Sequence, residues 1–170
     1  MLGVDTLGSR RAYANPWMEV REDTVRRTDG TTGVHWVLST PDIALVIPVD
    51  GDRLHLVEQY RHPVGRRTWE FPSGTLDQRL DATAADVAVR ELREETGLEA
   101  ASMTPLGVLD VTPSTMTQRC SVFLASGTTP GPPQRHRLPD GAQRAHHRHH
   151  RGRGRDPHPA DAGARVSSRA

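Results

Sequence analysis

The longest uninterrupted apolar run is IALVIPV at residues 43–49, seven positions without a charge or an amide. A run of that length predicts a central β-strand buried on both faces. Upstream, WMEVREDTVRR (17–27) alternates apolar and polar positions, as a half-buried strand does. Asp29-Gly30 then signals a hairpin that returns through residues 34–38. Asp50-Gly51 repeats the signal and turns the central run into LHLVEQY (54–60). Two further strands are predicted at residues 103–109 and 121–125. Residues 1–16 read as an arm ending in a turn at Asn15-Pro16.

One segment has the helical period instead. Ala85, Ala88, Val89 and Leu92 recur at the spacing of one apolar helix face. Thr83 and Asp86 form a capping-box start, with Asp in place of the usual Glu or Gln. Gly97 supplies a left-handed stop, and Leu98 can pack back on the last turn. The helix is therefore expected over residues 84–96. It carries Asp86, Glu91, Glu94 and Glu95, and Glu91 and Glu95 share a face one turn apart. Two carboxylates there repel, and Arg90 can offset part of the repulsion by pairing with Glu94. The cluster reads either as a solvated acidic face or as oxygen ligands for a hard cation such as Mg²⁺.

The full stretch is more specific. RELREETGL (90–98), lying behind Pro72-Ser73-Gly74, resembles the signature of the Nudix hydrolases, which cleave nucleoside diphosphates linked to another group. The resemblance implies Mg²⁺ ligation by Glu91 and Glu95, with Mn²⁺ as an alternative ion. It also implies a main-chain carbonyl ligand at Ser73 or Gly74, and Glu94 helping to bind the ion or to deprotonate water. The chain departs from the signature in one place: the loop between Gly74 and Arg90 is two residues longer. The Glu that relatives carry in that loop falls on Ala82, beside Asp81.

RHPVGRRTWEFPSG (61–74) resembles the segment before this motif in ADP-ribose and nucleotide-sugar hydrolases. That implies Arg61 facing the substrate diphosphate, where a guanidinium pairs bidentately with phosphate oxygens. It implies Glu70 touching the substrate base or a metal-bound water. Arg66 and Arg67 read as ordinary turn arginines. The N-terminal hairpin is similar to the extra sheet of ADP-ribose pyrophosphatase-like relatives, which implies a homodimer, with Trp17 and Trp36 as interface residues. The polar loop DVTPSTMTQR (110–119) borders substrate in such relatives. A Glu from a loop after the last strands often serves as the base there, yet residues 111–139 contain no Asp or Glu. His35, His55 and His62 stand apart from one another and read as packing or surface residues.

Composition divides the chain. Residues 1–126 hold 13 Arg against 18 Asp and Glu; residues 127–170 hold 9 Arg against 3 Asp, and there is no Lys anywhere. The later segment has only Leu138 and Val166 as large apolar residues, so it is expected to be disordered. A native basic tail, a metal-binding tract at His146, His147, His149 and His150, and a shifted reading frame of a GC-rich gene are its three readings. The last is preferred, because Nudix domains normally continue with an acidic loop and a helix. The single Cys120 excludes a disulfide framework and fits a reducing compartment. No run has the length of a membrane span or signal peptide, which makes the cytoplasm the expected location. Nucleic acid is disfavoured as a partner, since the basic tail has no interleaved aromatics.

These readings give an α/β fold: a Nudix α/β/α sandwich with a mixed sheet, preceded by N-terminal antiparallel strands. The expected organisation is an N-terminal arm and hairpin at 1–38, a Nudix hydrolase domain at 39–126 and a tail at 127–170. The expected function is Mg²⁺-dependent cleavage of ADP-ribose or a related nucleoside diphosphate sugar to a nucleoside monophosphate and a sugar phosphate. The alternative is a catalytically impaired Nudix fold that binds nucleotide ligands without efficient turnover.

Overall fold

The structure is a computed structural model and describes residues 3–77, 81–132 and the backbone of 148–151. It begins with a three-stranded antiparallel sheet in the order β1 (Asp5–Ala14), β2 (Glu19–Arg26), β3 (Thr32–Ser39). The expected arm is thus a strand for most of its length. Every residue of β1 is exposed, so no face of it is apolar and alternating, and the pattern that reveals strands was absent. The turn at its end is as expected: the Asn15 side-chain oxygen accepts the Trp17 and Met18 N–H groups, each at 2.8 Å. Gly30, at φ 82°, makes the β2–β3 turn.

The larger sheet is mixed. β4 (Ile43–Asp50) pairs parallel with β9 (Arg119–Pro130) and antiparallel with β5 (Arg53–Arg61) and with the short β7 (Ser73–Thr75). β8 (Leu98–Asp110) flanks β9, β6 (Arg66–Glu70) pairs with β5, and the backbone of β10 (Arg148–Arg151) lies antiparallel along β5. The tail expected from residue 127 is corrected where it is described: residues 127–130 continue β9, and the backbone of 148–151, with His149 and His150, forms β10. Residues 133–147 and 152–170 lie outside the described residues, and with them the rest of the expected disorder and His tract. β4 corrects one expectation. Ala44, Val46 and Pro48 are fully buried, whereas Ile43, Leu45 and Ile47 are only half-buried. Only one face of the apolar run is completely covered, by the helix.

That helix, α1 (Ala84–Thr96), has the expected bounds. The Asp86 N–H donates to Thr83 Oγ1 and the Thr83 N–H to Asp86 Oδ2, completing the capping box. Gly97 closes the helix at φ 71°. The buried stripe, however, is Val87, Ala88, Leu92 and Thr96; Ala85 is exposed and Val89 is 50% exposed. A stripe through 84, 87/88, 91/92 and 95/96 keeps the 3.6 period but is turned about one position from the expected one. The period finds a face, while tertiary packing decides where its centre falls. This rotation brings Glu91 and Glu95 to the edge of the core formed by Ala44, Val46, Val87, Ala88, Leu92, Phe123 and Ala125.

The two sheets are tied through the loop before β9. The Leu38 N–H donates to the Thr115 carbonyl, the Thr117 N–H to the Leu38 carbonyl, and His35 Nε2 to the Ser114 carbonyl. Asp42, at the mouth of β4, accepts the Arg119 N–H and its guanidinium, while its own carbonyl accepts the Leu76 N–H. This fixes the chain around β7, against which α1 packs.

Candidate functional site

Three elements meet at the start of β4: the N-terminal part of β7, the polar edge of α1 and the β5–β6 hairpin. β7 is held by β4, with Ser73 opposite Leu45 and Gly74 opposite Ala44. Gly74 has no side chain for a steric reason. A Cβ there would overlap the carboxylate end of Glu91. The helix can therefore bring the Glu91 carboxylate directly against the β7 backbone, a closeness that a side chain at 74 would push back.

Glu95, one turn along, is largely buried. Its Oε2 accepts the Ser73 N–H at 3.2 Å and its Oε1 accepts Gln59 Nε2 at 2.9 Å. Burial pushes its pKa up to about 7 and the neighbouring Glu91 adds to the rise; the Ser73 and Gln59 bonds and the Arg61 charge oppose it. A half-desolvated carboxylate beside a second carboxylate is a place where a cation is stabilised. The Arg90 guanidinium pairs with Glu91 at 2.9 Å, not with Glu94 as the helical spacing suggested. Glu94 is exposed on the helix surface.

The donor chemistry fits Mg²⁺. Among the described residues no three His, Cys, Asp or Glu side chains converge to hold an ion. Glu91 and Glu95 are two carboxylates set against a backbone ledge, and Mg²⁺ keeps several waters and takes one or two carboxylates plus substrate oxygens. Ala82, at the position where the signature has Glu, packs instead against the core. Residues 78–80 of the longer loop lie outside the described residues.

The hairpin supplies the positive side. In β5, Val57, Gln59 and Arg61 alternate onto one face, opposite Glu70, Thr68 and Arg66 of β6. Arg61 donates through Nε to Glu70 Oε1 at 2.9 Å and through Nη2 to Oε2. The Thr68 hydroxyl also donates to Glu70 Oε1. The Arg61 bond, supported by Thr68, holds the Glu70 carboxyl below its usual range despite partial burial. The charges of Arg61 and Glu95 act on each other, so the arginine lies within electrostatic reach of the helix carboxylates. On the outer face Arg67 pairs with Glu58 at 3.2 Å.

Glu91, Glu95, Ser73, Gly74, Arg61 and Glu70 are thus brought into one neighbourhood, and Glu94 lies at its exposed margin. Sequence reasoning missed Gln59 and Thr68. The signal was available: once Arg61 is placed facing the site, strand alternation puts Gln59 on the same face two positions earlier.

Residues 39–149 match the family model described as the NUDIX domain. The chain belongs to the Nudix family. Residues 4–38 match a second model, the nucleoside diphosphate sugar hydrolase N-terminal domain. An ADP-ribose pyrophosphatase of Mycobacterium tuberculosis is 35% identical over 124 residues, which cover 72% of this chain and 59% of the relative. A methanol dehydrogenase activator of Bacillus methanolicus is 27% identical over 123 residues, covering 72% and 65%. The Nudix chain therefore spans about three-fifths of the length of these curated relatives. A crystal structure of an ADP compounds hydrolase superposes with a TM-score of 0.72 at 19% identity, covering 86% of this chain and 77% of that one, and shows the same fold. No helix among the described residues is long and apolar enough to cross a membrane.

Proposed function

We propose that this Nudix chain is a Mg²⁺-dependent pyrophosphohydrolase of ADP-ribose or a related nucleoside diphosphate sugar, releasing a nucleoside monophosphate and a sugar phosphate. One observation carries the reading: paired carboxylates on a glycine ledge face an arginine on a neighbouring strand. The names of the relatives and the match of the N-terminal sheet support the choice of substrate class.

Glu91 and Glu95, with a main-chain carbonyl at Ser73 or Gly74, hold Mg²⁺, or Mn²⁺ in its place. When bound, the ion supplies charge neutralisation at the diphosphate and makes water easier to deprotonate. Arg61 presents its guanidinium to a phosphate oxygen, a pairing that suits its planar fork. Glu70 holds that fork in one orientation through both of its oxygens, and its remaining lone pairs serve the substrate base or a metal-bound water. Glu94, exposed on the helix surface, takes the proton from water. Water adds to one phosphorus as the bridging P–O bond breaks, and the departing phosphate carries the remaining charge.

The N-terminal unit (1–38) serves as a dimer surface beside the hydrolase domain (39–126). Trp17 and Trp36, 74% and 50% exposed, are its contact residues. The cytoplasm is the proposed location, in keeping with one buried, unpaired Cys120. A second reading, an impaired fold that binds nucleotide without efficient turnover, is favoured by Ala82 replacing a Glu and by the lack of any Asp or Glu from 111 to 139. Incubation with ADP-ribose, ADP-glucose and other nucleoside diphosphate sugars, with Mg²⁺ or with EDTA, separates the two. The first reading predicts Mg²⁺-dependent release of nucleoside monophosphate. Nucleotide binding without product supports the second.

A further inference from the structure

We infer that Gln59 is a positioning residue for the metal site, orienting Glu95 so that its free lone pairs face the ion. The inference rests on Glu95 as a metal ligand and extends it to a residue outside the Nudix signature. Three observations converge. The Gln59 amide donates to Glu95 Oε1 across a sequence separation of 36 residues, in a partly buried setting. The other oxygen is already held by the Ser73 N–H, so each carboxylate oxygen is fixed by one donor and keeps one lone pair for a ligand. And Gln59 stands two residues before Arg61 on one face of β5, beside the fully buried Val57, which pins that face against the interior.

β5 is thereby a template. Alternate positions along one extended strand lie about 7 Å apart. One of them fixes the carboxylate that binds the ion and the next places the guanidinium that binds phosphate. A neutral amide suits the first position for a physical reason. It supplies a donor that a carboxylate would not, and it brings no positive charge to compete with the ion. Partners behind a metal ligand act by restraining its orientation, and their loss characteristically weakens metal binding or activity 10- to 100-fold.

The test uses the full chain and Mn²⁺ alone as the probe, with free ion read by electron paramagnetic resonance in the absence of substrate. Gln59→Met keeps the length of the side chain and removes the donor. The expected result is Mn²⁺ binding weakened about tenfold or more, the Mg²⁺ concentration for half-maximal hydrolysis raised by a similar factor, and kcat at saturating Mg²⁺ recovered to within a few-fold. Gln59→Asn keeps the amide but leaves it short of Glu95, and should weaken Mn²⁺ binding in the same direction if Gln59→Met fails to fold. Wild-type Mn²⁺ affinity in a folded variant overturns the role of Gln59. So does a loss of kcat that saturating Mg²⁺ does not restore. Wild-type protein that binds Mn²⁺ but hydrolyses no nucleoside diphosphate sugar retires the proposed activity and leaves the Gln59 test standing.

Discussion

At the scale of single residues, the site is organised by a carboxylate kept partly out of water. Glu95 rises from the ordinary 4.5 to about 7, chiefly through burial. In metal-free protein the folded state therefore holds a proton that the unfolded state releases between those two values. The native state binds more protons in that window, so stability should fall as pH rises through it and level off above. Urea unfolding in EDTA at about pH 5 and about pH 7.5 reads this slope, and Glu95→Gln should flatten it. An unchanged slope in the variant would place the titration elsewhere. Gly74→Ala makes a complementary prediction. The added methyl meets the mobile end of Glu91, so the fold should survive while Mn²⁺ binding weakens measurably. Equal Mn²⁺ binding by Gly74→Ala and wild type would show that Glu91 is free to move without cost to the site.

The helix is the element most legible in the sequence, because its signals are local. Thr83, Asp86 and Gly97 each act within four residues, and all three do in the structure what their chemistry suggests. Thr83→Ala removes one partner of the capping box and should cost about 1 kcal/mol in denaturant unfolding, with the helix retained. Asp86 is held below its usual range by the Thr83 hydroxyl and N–H. Its folded pKa is depressed, so its contribution is present above the unfolded value and lost as pH falls through the folded one. Leu92, buried in the core, has no such subtlety: Leu92→Ala should cost about 2–5 kcal/mol. Two features of α1 were not legible. The buried stripe is turned from Ala85 and Val89 toward Val87 and Glu91, and Arg90 chose Glu91 over Glu94. Both depend on what packs beside the helix, and spacing within the helix carries no record of that.

For the molecule as a whole, the strands with apolar alternation or clear turn signals were readable, whereas β1 and the short β6, β7 and β10 were not. An exposed strand has no inside to write into its sequence. The exposed Trp36 on β3 and Trp17 in the β1–β2 turn carry the dimer proposal. Trp36→Glu places a charge at that surface and should shift sedimentation from dimer toward monomer while leaving the unfolding midpoint of the Nudix domain little changed. A wild-type protein that sediments as a monomer at all accessible concentrations would remove the proposal. Gln59, by contrast, was hidden for a different reason: its role is set by an alternation that becomes meaningful only after Arg61 has been placed.

The account turns on Glu91 and Glu95 holding the ion that works on the diphosphate. Its most direct test is AMP release from ADP-ribose across a Mg²⁺ titration, for wild type and Glu95→Gln. The substitution keeps shape and removes one negative charge. Wild type should turn over in a Mg²⁺-dependent manner, and Glu95→Gln should lose on the order of 10²-fold or more, the scale of one catalytic electrostatic contact. Mg²⁺-dependent turnover that Glu95→Gln leaves untouched would contradict the assignment.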